Sequence, residues 1–82
     1  MTNTTGTERL KDIIVEVLRV PRAEVIDRLD MEATSTWDSL SHMQLIAALE
    51  DEFAVELTAD EIVAMRSVQQ IRDVLRSKSV VL

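Results

Sequence analysis

The chain has 82 residues, enough for one small hydrophobic core and too few for two. It has no cysteine, which excludes disulfides, thiolate metal sites and a cysteine nucleophile, so any thiol chemistry needs a sulfur from an attached group. A net charge of −6 argues against nucleic acid, whose phosphates an acidic surface repels.

Apolar residues make up 46% of the chain, yet Trp37 and Phe53 are its only aromatics, so the core must be aliphatic. Nowhere do apolar and polar residues alternate over a strand's length. One glycine and one proline provide little of the turn chemistry that hairpins need. An all-α bundle is the remaining class. Residues 1–6 are polar and do not resemble a secretory signal, and no apolar run is long enough to span a membrane. A soluble, cytoplasmic monomer is expected, with 1–82 forming one domain and residues 1–6 and 79–82 frayed.

Thr5 and Glu8 have the spacing of a capping box, so a first helix is expected from Gly6 or Thr7. Leu10, Ile13, Ile14, Val17 and Leu18 form its inward face, and Val20-Pro21 ends it. Residues 21–37 make a long connection. Val25 and Leu29 are placed to pin it to the bundle, with a single helical turn expected within Glu24 to Leu29.

A second helix is predicted from Ser39 to Phe53, capped by Asp38, with Leu45, Ile46, Leu49 and Phe53 facing the core. Ala54 to Leu57 reads as short and extended. Thr58 and Glu61 open a brief third helix through Ile62, Val63 and Met65. Ser67 and Gln70 open a last one, with Val68, Ile71, Val74 and Leu75 inward. The expected fold is therefore three longer helices and one short one, with a long loop between the first and second.

Ser39 lies in the first turn of the second helix, where the positive end of the dipole favours a phosphate ester. As a hydrolytic nucleophile it would need a base and an orienting group. The sole histidine, His42, lies toward the Leu45/Leu49/Phe53 side and reads as packing over the end of the core. A Ser–His hydrolase is set aside, and so is a calcium loop, since the acids lack its spacing. Residues 23–65 hold eleven acids and one base, a surface suited to basic protein partners or simply solvated. At about 100° per residue, Leu40, Gln44, Ala47 and Asp51 point away from the core, with Met43 and Glu50 between them and Ser39. That face is the candidate docking surface.

Asp38-Ser39-Leu40 opening an amphipathic helix, the run Leu49-Glu50-Asp51-Glu52-Phe53 and Ser67-Val68-Gln69 together resemble the acyl carrier protein family from Thr7 to Ser77. The resemblance implies a four-helix acyl-carrier fold with 4′-phosphopantetheine attached covalently to Ser39. It implies that Asp38 assists the transfer, by helping to hold magnesium or by positioning the hydroxyl. It further implies a carrier with no catalytic residues or resident metal, the substrate of a phosphopantetheinyl transferase. An acyl- or aminoacyl-loading enzyme and a downstream synthase or transferase would be its other partners. Fatty-acid carriers usually have glycine where Thr36 stands and often an acid where Ser41 and His42 stand. Trp37 before the aspartate looks more like stand-alone carriers of specialised pathways, including D-alanyl carriers. The expectation is an acyl carrier of a specialised pathway. An aminoacyl carrier is the alternative within the family, and an acidic helical adaptor without cofactor is the alternative outside it.

Overall fold

The computed structural model describes residues 5–82, in which four helices and one short turn follow in order. Helix α1 spans Gly6–Leu18, α2 Ser39–Phe53, α3 Ala59–Ala64 and α4 Val68–Ser77, with a 3₁₀ turn at Arg22–Glu24. No named strand occurs among the described residues. The fold is the expected all-α, acyl-carrier-like bundle of three longer helices and one short one.

Each helix begins where a short polar side chain can satisfy an orphan backbone N–H. Thr5, Asp38, Thr58 and Ser67 accept from the N–H three residues on, at Glu8, Ser41, Glu61 and Gln70. Reciprocation is less uniform than spacing suggests. Thr58 and Glu61 form a complete capping box, but Glu8 turns away to pair with Arg22. The Gln70 amide oxygen accepts from Arg66 N–H, one residue before its cap. At the other ends, Arg19 (φ 56°) and Ala54 (φ 52°) close α1 and α2 in the left-handed region without glycine. Such residues cost about 1–2 kcal/mol each. Pro21 follows, and α1 stops at Leu18, before the expected Val20-Pro21 junction.

The core is aliphatic, as composition required. Leu10, Ile14 and Leu18 of α1 meet Leu45, Ile46 and Leu49 of α2, and Ile71 and Leu75 of α4 close the bundle. Phe53 is the exception on α2. Predicted to be fully inward, it is only partly buried, with the Arg9 guanidinium 5.1 Å from its ring centroid. Val74 and Ile13 are likewise partly buried.

The long loop has a structural task. Its carbonyls at Leu29 and Asp27 accept the N–H groups of Val68 and Gln69, covering the first turn of α4. Met31 N–H donates in return to Arg66, and Arg72 pairs with Asp27. Val25 is buried and Leu29 partly so, pinning the loop as expected. Its helical turn lies at Arg22–Glu24, earlier than the Glu24–Leu29 expected, because Arg22 reaches back to Glu8 and Asp12 on α1.

Residues 1–4 lie outside the described residues, but Thr5 and Gly6 already belong to the capped start of α1. The tail folds back, with Val80 and Leu82 partly buried against the core. A Cβ built on Gly6 would lie 2.0 Å from the Val81 carbonyl oxygen, so the one glycine is where the tail crosses α1. Gly6→Ala would gain up to about 1 kcal/mol in helix propensity. It is nevertheless expected to melt no higher than the parent, because the tail must lift. Amide exchange at Val80 to Leu82 should quicken while helical circular dichroism holds; unchanged exchange would refute this crossing.

Candidate functional site

The corner where the long loop enters α2 is built almost entirely by residues 34–42. Trp37 N–H donates to the Thr34 carbonyl (3.0 Å), tightening the turn that delivers the chain to Asp38. Asp38 is extended and caps α2, its Oδ1 accepting Ser41 N–H at 2.9 Å. Ser41 completes the box by accepting Asp38 N–H at 2.9 Å, and its hydroxyl donates to the Thr36 carbonyl at 2.6 Å. Sequence reasoning assigned Ser41 no such role. The signal was present, since Ser41 sits three residues after the cap, but the box is more familiar with Glu or Gln there.

Two hydroxyls on one turn thus have opposite environments. Ser41 is buried and committed to the corner. Ser39, the first residue of α2, is exposed. A bulky phosphodiester on the exposed Ser39 would project into solvent beside the helix N-terminus, whereas the buried Ser41 would have no room for one. The residues present therefore fit such a group at Ser39.

Beneath the corner lies a buried polar bridge. Trp37, 2% exposed, donates Nε1–H to Nδ1 of His42 at 2.9 Å, with the two rings stacked at 6.1 Å. Because Nδ1 accepts, the hydrogen resides on Nε2, which donates to the Ile62 carbonyl of α3 at 2.8 Å. His42 packs over the end of the core as expected, and the buried Trp37 anchors the loop. The bond between them, and the link to α3, were not anticipated.

The outward face of α2 also matches its helical wheel. Leu40 (71% exposed) and Met43 (53%) flank Ser39, and Gln44, Ala47 and Asp51 are exposed as well. Glu50 differs, for it is half-buried and its Oε2 accepts Leu57 N–H at 3.0 Å, bracing the turn after α2. Gln44 lies at a groove against α1 with Ile13, Val17 and Ala48.

Ser41 N–H, with the Ser41 hydroxyl beside it, holds the Asp38 carboxyl below its ordinary value of 3.8. Lys78, then Thr58 N–H, lowers Glu61 from 4.5 in the same way. A carboxylate depressed in the folded state stabilises above its unfolded value, and that contribution is lost as pH falls through the folded one. Asp38→Asn retains a cap without the titration. Its melting temperature, followed from about pH 6 to about pH 2, should therefore fall less steeply than the parent's. Parallel curves would show that the cap is not coupled to this ionisation.

A family model described as "Phosphopantetheine attachment site" matches residues 8–75. An acyl carrier protein of Thermosynechococcus vestitus is 32% identical over 71 residues, covering 87% of this chain and 88% of that protein. The chain belongs to the acyl carrier protein family. Its cofactor is 4′-phosphopantetheine, held covalently, and the protein is a carrier rather than a catalyst. The reading as a helical adaptor without cofactor is thereby set aside. Among the described residues, no helix is long and apolar enough to cross a membrane, and no three His, Asp or Glu side chains gather as a metal site.

Proposed function

We propose that this acyl carrier bears its cofactor on Ser39 and serves a specialised biosynthetic pathway, presenting thioester-bound acyl intermediates to partner enzymes. The supporting observation is the exposed Ser39 hydroxyl at the mouth of α2, within Asp38-Ser39-Leu40. In a phosphopantetheinyl transferase, Ser39 Oγ attacks the pyrophosphate of coenzyme A and gives up its proton, and the nucleotide half leaves. Asp38, ionised and fixed by Ser41, assists by positioning the hydroxyl or a magnesium ion beside it. When bound, the cofactor supplies a thiol at the end of a long flexible arm, the group this cysteine-free chain lacks. The protein supplies the anchor, the docking face and the acidic field.

The two residues before Asp38 support the specialised pathway. Thr36 stands where fatty-acid carriers usually have glycine, and the next residue, Trp37, ties the loop down through its buried indole. The same residue supports a second reading, an aminoacyl carrier of the D-alanyl type loaded by an adenylating enzyme. Intact mass after co-expression with a promiscuous transferase, with a digest locating the added mass on Ser39, tests attachment. Loading with acyl against aminoacyl donors separates the two cargos; efficient aminoacyl and absent acyl loading would overturn the first.

Docking of the transferase falls to Leu40, Met43, Gln44, Ala47 and Asp51, with Glu50 contributing through its exposed edge. A small apolar contact at Leu40 gives fit, and the acids steer a basic partner. Leu40→Ala and Asp51→Lys should each keep the parental melting curve and slow modification. The Asp51→Lys defect should shrink with added salt, because screening removes the parent's advantage. Parental rates for both at low salt would remove this face from the interface.

A further inference from the structure

An apolar cargo on a flexible arm seeks any core it can reach, and the core nearest Ser39 lies behind the seam between α2 and α3. We propose that the Trp37–His42–Ile62 bridge holds this seam shut and keeps the cargo outside the bundle, which fits the carrier to short or polar acyl groups. The inference rests on attachment at Ser39.

The bridge ties α2 to α3 near the end of α2 that carries Ser39. Ser39 opens α2, His42 is one turn further in, and its Nε2–H binds the Ile62 carbonyl on α3. Behind it the space is filled by Trp37, Leu45, Ile46 and Met65, all at most 2% exposed. Parting α2 from α3 would break the His42–Ile62 bond and leave the imidazole Nε2–H and the Ile62 carbonyl without each other, and buried polar groups without partners are costly. The Trp37 indole, stacked on His42 and donating to its Nδ1, holds the ring in the orientation and tautomer that make this bond. Short or polar acyl groups release little on burial and cannot offset those losses. Outside the seam, Leu40, Met43 and Val63 are more than half exposed, so an arm lying there meets apolar surface without entering the core.

The test uses the full chain loaded from acetyl-, butyryl- and octanoyl-coenzyme A by a promiscuous transferase. Thioester cleavage by hydroxylamine is timed by mass and divided by the rate for the same acyl-pantetheine free in solution. A seam that stays closed gives the same ratio for all three cargos, within about twofold, because only thioesters outside the bundle react. An octanoyl chain buried in nine molecules of ten would slow cleavage about tenfold and overturn the proposal. Emission from Trp37, the only tryptophan, should likewise not change with chain length.

In His42→Ala, which removes both bonds and leaves space under Trp37, octanoyl cleavage should slow several-fold against acetyl. Octanoyl loading should then also raise the melting temperature of this variant. If the variant folds and its octanoyl ratio equals the parent's, His42 is not what closes the seam. Should the variant not fold, the comparison of cargos on the parent still decides the matter. A digest of each loaded sample reports separately on attachment: mass found away from Ser39 refutes that reading and this inference together, whereas octanoyl shielding with mass on Ser39 refutes only the inference.

Discussion

Ser39→Ala is expected to abolish phosphopantetheine transfer while leaving the helical spectrum and melting temperature at parental values. The second half of that expectation follows from exposure. The cap of α2 is Asp38, its partner in the box is Ser41, and the Ser39 side chain takes part in neither bond. Alanine in the first turn is also a slightly better helix former than serine. The first half follows from chemistry, since the nucleophilic oxygen is gone and the nearest substitute is sequestered. Ser41 is two residues away but buried, its hydroxyl directed at the Thr36 carbonyl. Thr34, Ser35 and Thr36 carry hydroxyls on the preceding loop, without the helix terminus behind them. Ser41→Ala is the informative contrast. It should still be modified, while melting lower by the roughly 0.5–2 kcal/mol characteristic of lost capping interactions. Intact mass on the two variants reads the outcome, and cofactor retained on Ser39→Ala would remove Ser39 from its assigned role.

Leu49→Ala is expected to be the most damaging truncation on α2, costing about 2–5 kcal/mol. Leu49 is fully buried in the shared core of α1, α2 and α4, so its removal leaves a cavity as well as a loss of transfer energy. Small domains have only about 5–15 kcal/mol in total. At this size each kcal/mol lowers Tm by about 4–8 °C. Phe53→Ala, which the hydrophobic spacing alone ranks at least as severe, should cost less. Its ring is only partly buried, and the Arg9 contact adds about 0.5–1 kcal/mol at an exposed site. Arg9 also keeps its bonds to the Glu52 carboxylate and carbonyl when the ring is gone. Thermal melts of both variants give the order, and a lower Tm for Phe53→Ala would mean the inward face of α2 is rotated toward its C-terminus.

Much of this molecule is decided within four residues along the chain, and that part was legible without a structure. Thr5, Asp38, Thr58 and Ser67 each bond an N–H three residues on, so a short polar residue before an apolar stripe marks four helix starts correctly. The exposure of Ser39, Leu40, Ala47 and Asp51 follows from the 3.6-residue period, as does the burial of Leu45, Ile46 and Leu49. Asp38-Ser39-Leu40, the run Leu49 to Phe53 and Ser67-Val68-Gln69, read together in a chain without cysteine, pointed to a family whose members carry an attached thiol-bearing arm. Tertiary structure decided the rest. The loop serves α4 because carbonyls of Asp27 and Leu29 face its first turn, and the tail is docked because it meets a glycine 75 residues away in the chain, Gly6 against Val81. His42 is tied to α3 through the Ile62 carbonyl, and Phe53 is left half out by the arrival of Arg9. Most of these partners are backbone groups from distant segments. A backbone carbonyl is the same whichever residue bears it, so the side-chain pattern holds no record of which one a folded neighbour will present.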